Sequence, residues 1–249
     1  MIQCWQAGTT ANRRTLVGIF GRDSQESRDA RAVTDLAESD GARVGVTGFI
    51  ERLMDVGIDG KGRFDSAQKV AGLAMAAHSN AERAIDAIVR SHLGLAAAGG
   101  FVTSLGGFVT MPVALPANVL EFYLVATRMV AGIAATRGYD IVQAEVRSAV
   151  LLALVGADSD DLLKKAGYAS TGRLAGLAAE RLPGPVLLAV NKGVAFRLLN
   201  QVGKKSLTRL GRAVPLAGGV IGAGVDTYLL NRIADHARLE FPPVGRPVG

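Results

Sequence analysis

Asp55, Asp59 and Gly60, in "DVGIDGKGRFDS", occupy the first, fifth and sixth places of a calcium loop. The third place falls on Gly57 and the twelfth, where such a loop needs a bidentate carboxylate, on Ser66. The oxygen donors that a hard cation demands are missing, and the calcium reading is rejected. "DGKGR" is no phosphate loop, because the first glycine and the Ser/Thr after Lys61 are absent. "GGVIGAG" lacks the preceding strand of a dinucleotide fingerprint. His78, His92 and His236 stand far apart, without ligand spacing, and read as core or solvated histidines. Asp158, Asp160 and Asp161 sit at a helix start, where capping and the helix dipole account for them. No nucleophile elbow is present, so no catalytic residue, metal or cofactor is assigned. An enzyme ranks last among the functions considered.

The elements around these residues are helical. Mean hydropathy is positive, nearly half the chain is apolar, and most of that mass is Ala, Val, Leu and Gly. Small residues in this proportion predict closely packed helices, and no segment shows the alternation of a strand. The expected fold is all-α: a single multi-helix bundle over 28–240, after a loose leader (1–27) and before a Pro-rich tail (241–249). "SRDARAVTDLAES" forms a short polar helix. In "VTGFIERLMDVGI", Phe49, Ile50, Leu53, Met54 and Ile58 share one face. Asp65-Ser66 and Ser79-Asn80 offer N-caps to the next two helices, and a long helix ends near Gly138.

Two apolar stretches stand out. Thirty residues, Ser91 to Leu120, carry no formal charge. Crossing the hydrocarbon takes about twenty apolar residues in one helix. Gly99-Gly100, Gly106-Gly107, Pro112 and Pro116 are expected to break this run into short pieces, a hairpin around Leu93 to Pro116 rather than a span. The second stretch, Ala213 to Val225, holds Gly218 and Gly222 four apart, a spacing for tight helix packing ahead of membrane dimerisation.

The net charge of +6 is concentrated. Between Ser170 and Arg212 lie eight basic residues against Glu180 alone. Such density seeks phosphates, of lipid or nucleic acid. Interleaved aromatics and a reading motif are lacking, which ranks nucleic acid below an anionic membrane surface. Arg197, Lys204, Lys205, Arg209 and Arg212 are the candidate lipid-binding residues. Cys4 is the only cysteine and no secretory signal begins the chain, so a cytosolic address is expected.

"GGFVTMPVALPANVLEFYLVATRMVAGIAATRGYD", "NKGVAFRLLNQVGKK" and "RAVPLAGGVIGAGVDTYLLNRIADHAR" together resemble the EcsC protein family, from about Val46 to Arg238. The matching positions are Gly106, Gly107, Pro112, Pro116, Arg128, Gly138, Tyr139, Asp140, Asn191, Lys192, Pro215, Gly218, Gly219, Gly222 and Asp226. Ala114 departs from the acidic residue that members often carry between the two prolines. The family is named for a bacterial protein encoded beside an ABC transporter. The resemblance therefore implies association with a membrane or a transporter complex and no particular reaction. The glycines and prolines read as fold architecture, and substitution of Tyr139, Asp140 or Asp226 is expected mainly to cost stability. The function expected is a peripheral accessory protein on the inner leaflet, linked to a transporter or to envelope lipid homeostasis, with the Leu93–Pro116 hairpin and the glycine-rich patch from Pro215 to Val225 supplying its hydrophobic contact. The alternative is a soluble carrier whose helices enclose an acyl chain or a hydrophobic peptide.

Overall fold

The computed structural model describes residues 46–61, 64–105, 111–156, 159–167, 174–179, 182–209 and 215–245. It describes side chains over 48–61, 64–97, 120–156, 159–167, 174–178, 182–198 and 224–245. The leader, the polar helix expected after it, Gly106, Gly107 and Arg212 lie outside the described residues. Among the described residues the fold is all-α. Its helices are α1 (Val46–Arg52), α2 (Ala67–Ala77), α3 (Ala81–Leu105), α4 (Met111–Thr136) and α5 (Ala144–Val155). They continue with α6 (Ser159–Lys165), α7 (Leu174–Ala179), α8 (Gly184–Arg209) and α9 (Pro215–Glu240).

Local signals set most of these ends. The Ser66 side chain accepts from the Lys69 N–H at 3.2 Å and caps α2. Asn80 Oδ1 accepts from the Arg83 N–H at 2.9 Å and starts α3. Both side chains satisfy amide donors that a helix start leaves without intrahelical partners. Phe49, Ile50, Leu53 and Ile58 are buried as their spacing predicts. One detail differs: beyond Arg52 the backbone widens into a π-helical turn, Leu53–Ile58, closed by the Asp59 N–H on the Met54 carbonyl at 3.0 Å. Widening adds a residue to the turn, so Val56 and Gly57 face inward too. Gly57 lies so close to α4 that a Cβ there would stand 3.0 Å from Thr127.

The end of α4 has a cause in "RGYD". The Gly138 N–H donates to the Ala135 carbonyl and the Tyr139 N–H to Ala134, which is the Schellman closure of a helix. Gly138 has φ +94°, the left-handed region that glycine enters without a Cβ clash. Gly138→Ala is therefore expected to lose about 1–2 kcal/mol of stability in urea unfolding.

The centre of the domain is α4. Leu120, Leu124, Met129, Val130 and Ile133 are buried, and α4 touches α2, α3, α5, α9 and the π turn. Helix α5 is apolar nearly all round, and Ala149 to Val155 are buried without interruption. The most extensive helix pair is α9 on α3, tied at one point by Arg238 to Asp86 at 2.8 Å. The residue that follows α9 belongs to this core. Phe241 is fully buried and meets the Tyr139 ring edge-on at 5.3 Å.

The short broken pieces expected between Leu93 and Pro116 are not what forms. Gly99-Gly100 lies within α3, and Pro112 and Pro116 both lie within α4. Pro112 is the second residue of its helix, where the amide has no intrahelical acceptor to lose. A glycine pair in a helix costs about 1 kcal/mol per residue, a penalty rather than a stop. The run thus becomes the ends of two long helices. Among the described residues, no helix is long and apolar enough to cross a membrane.

Candidate functional site

Helix α8 carries the basic run, and its own residues determine how it sits. Pro183 precedes it, and the Pro183 carbonyl accepts from the Val186 N–H at 2.9 Å. Val190, Val194 and Leu198 recur every four residues and are buried, on the side where α8 packs against α5. Gly193 brings the backbone against α6, where a Cβ would lie 3.1 Å from Leu162. These contacts fix the rotation of the helix. Leu188, Lys192 and Phe196 also recur every four residues, two positions out of step, and so emerge opposite the core. Leu188 is 54 % exposed, Phe196 64 %, and Lys192 is exposed between them.

Of the five candidate lipid-binding cations, Arg197 is the one whose side chain is described. It is half-buried and reaches Asp161 of α6 at 3.6 Å. Asp161 also accepts from Lys165 at 2.9 Å. That hydrogen bond, with Arg197 and Lys164 nearby, holds its carboxyl below the usual carboxylate range. Part of the Arg197 charge is thus already engaged within the protein. Lys204, Lys205 and Arg209 lie on the same helix, with side chains outside the described residues.

Among the described residues, two concave sites flank the core. An open cleft of about 500 Å³ is lined by Ile58, Asp59, Ser66, Tyr139, Asp140 and Val142, among others. Four of its polar side chains are engaged in holding the fold. Asp59 pairs with Arg147, and Ser66 caps α2. The Tyr139 hydroxyl donates to the Pro242 carbonyl at 2.9 Å. Asp140 accepts from the Val142 N–H at 3.1 Å and turns the chain toward α5. Asp55, the other acid of the supposed calcium loop, pairs with Lys61 at 2.8 Å.

The second site lies under the π turn: a cavity of about 20 Å³ bordered by Val56, Gly57, Phe64, His92, Leu95 and Arg128, among others. That volume has room for about one water molecule and none for an acyl chain. His92 is 2 % exposed. Its Nδ1 lies 2.8 Å from the Ile88 carbonyl, which can only accept, so the proton sits on Nδ1. Burial lowers its pKa to about 4; the Ile88 contact opposes that shift and the Arg128 charge adds to it. The Arg128 guanidinium stands 5.6 Å over the Phe64 ring.

A model of the EcsC protein family matches residues 58–242. The chain belongs to the EcsC family. No curated protein and no solved structure matches it. The EcsC match ends at Pro242, the residue whose carbonyl receives the Tyr139 hydroxyl. Within the EcsC region, Gly138, Tyr139 and Asp140 close α4, hold the end of the chain and turn it into α5. Arg128 lies against the His92 cavity, and Asn191 and half-buried Asp226 stand on α8 and α9. Pro215, Gly218, Gly219 and Gly222 fall in α9, and Pro112 and Pro116 in α4, with side chains outside the described residues. Pro215 is the first residue of α9, where its fixed φ suits a helix start. The sequence reading missed Leu188 and Phe196. Their signal was a second four-residue apolar spacing on a helix that already had one for the core.

Proposed function

We propose that this EcsC-family protein is a non-catalytic accessory that docks peripherally on an anionic bilayer. By this reading it sits on the inner leaflet of the cell membrane and serves a transporter or envelope lipid homeostasis. The observation that carries the reading is the charge of α8. This helix of 26 residues holds Lys192, Arg197, Lys204, Lys205 and Arg209 and no acidic residue. Such a helix runs about 39 Å, a length over which phosphate headgroups can meet several cations at once. Each cation close to an anionic surface contributes about 1 kcal/mol. The attraction is screened beyond about 10 Å at 0.1 M salt and beyond about 3 Å at 1 M.

Flotation of the purified protein with vesicles tests this. It is expected to rise with phosphatidylglycerol vesicles, stay at the bottom with phosphatidylcholine, and fall off as salt increases. Equal behaviour with both vesicles, or retention at the bottom with both, would sink the reading. Release from the vesicles by a short DNA duplex, followed by tight duplex binding, would move the site to nucleic acid.

A further inference from the structure

We propose, resting on the bilayer reading above, that α8 lies in the headgroup plane and inserts one edge, Leu188 and Phe196. The Lys192 ammonium then sits between them at the level of the phosphates. Helix α8 cannot hide these side chains by rolling, because Val190, Val194 and Leu198 hold its opposite face in the core. Leu188 and Phe196 are eight residues apart, about 12 Å along the axis. A leucine and a phenylalanine at that separation form a flat apolar edge parallel to the surface, the arrangement of a helix lying in an interface. Lysine between them fits the same depth, since its alkyl stem can lie along the apolar edge while its charge reaches water and phosphate.

Charge separates this edge from the exposed apolar residues of α2 and α9. Tyr228 and Leu239 share α9 with Asp226, Asp235 and Glu240 against Arg232 and Arg238, so that helix carries a net negative charge where α8 is purely basic. Leu73 and Met75 stand on α2, whose cation Lys69 is paired with Asp65 at 2.7 Å. On α8 the exposed apolar side chains share their face with Lys192 and their helix with Arg197, Lys204, Lys205 and Arg209. The hydrophobic contact expected from sequence at the Leu93–Pro116 hairpin is thereby reassigned to α8.

The test is a single indole placed at the edge. Trp5→Phe removes the native tryptophan, and Phe196→Trp is tolerable because the ring is mostly exposed. On phosphatidylglycerol vesicles the emission of this variant is expected to shift to the blue and to be quenched by lipids brominated high on their acyl chains. The matched Trp5→Phe, Tyr228→Trp protein, with its probe on α9, is expected to remain unquenched. Flotation with an unquenched indole at 196 would overturn the insertion edge and leave the bilayer reading standing. Equal quenching at 196 and 228 would overturn the assignment to α8. A protein that never floats with the vesicles would overturn both readings.

Discussion

Lys192→Glu, Lys204→Glu and Lys205→Glu introduced together are expected to abolish flotation with phosphatidylglycerol vesicles and leave the fold intact. Each reversal replaces an attraction of about 1 kcal/mol with a repulsion of similar size. Three positions then amount to about 6 kcal/mol, or about 10⁴-fold in partitioning. The matching Lys→Gln triple removes attraction without adding repulsion and is expected to lose about half as much on the free-energy scale. Lys192 is exposed, and glutamate is as good a helix former as lysine, so circular dichroism of the triple variant should keep the wild-type helical signal. Arg197 is deliberately left alone, because its contact with Asp161 joins α8 to α6. A glutamate triple that still floats would show that charge on α8 does not hold the protein to the vesicle.

The second large effect concerns acid stability and centres on His92. In the unfolded chain its imidazole takes a proton near the ordinary value of 6.5, whereas in the folded core it does so only at about 4. Above pH 6.5 neither state is protonated at this ring, and its packing stabilises the fold without penalty. Between about 6.5 and 4 the unfolded chain binds a proton that the folded one refuses, so stability falls as pH falls. Below about 4 both states carry the proton and the loss levels off. At about 1.4 kcal/mol for each pH unit of difference, the whole drop is about 3 kcal/mol. Urea unfolding at a series of pH values, compared with His92→Leu, isolates this contribution from the titrating carboxylates. The variant loses the contact with Ile88 and starts less stable, but its curve should be flatter across that window. Parallel curves for the two proteins would remove His92 as the cause.

Much of the fold was legible because its signals are local. Ser66, Asn80 and Gly138 act on amides within a turn of themselves, and each ends or begins a helix where its chemistry says it should. The uncharged run was misread for the opposite reason. Gly99, Gly100 and Pro116 are penalties whose sum is judged by tertiary context, and α3 and α4 pack against each other. The π turn at Leu53–Ile58 had no sequence signature at all. It answers to Thr127, some seventy residues away, against which Gly57 lies. On α8 the charge was legible and the exposed edge was not. Spacing shows that two apolar stripes exist, but only the neighbours α1, α5 and α6 decide which one is buried.

The tie between the middle of the chain and its far end also constrains how the protein comes into being. Tyr139 bonds to Pro242, Val244 donates to the Arg137 carbonyl, and α9 covers α3 across some 140 residues of sequence. A chain leaving the ribosome can form α3 and α4 early, but their apolar surface stays uncovered until Phe241 has emerged. Contacts this distant slow folding, and uncovered apolar helices on a nascent chain invite association. During that interval the side of α3 that α9 will cover is open to association. The protein is thus most adhesive before it is finished.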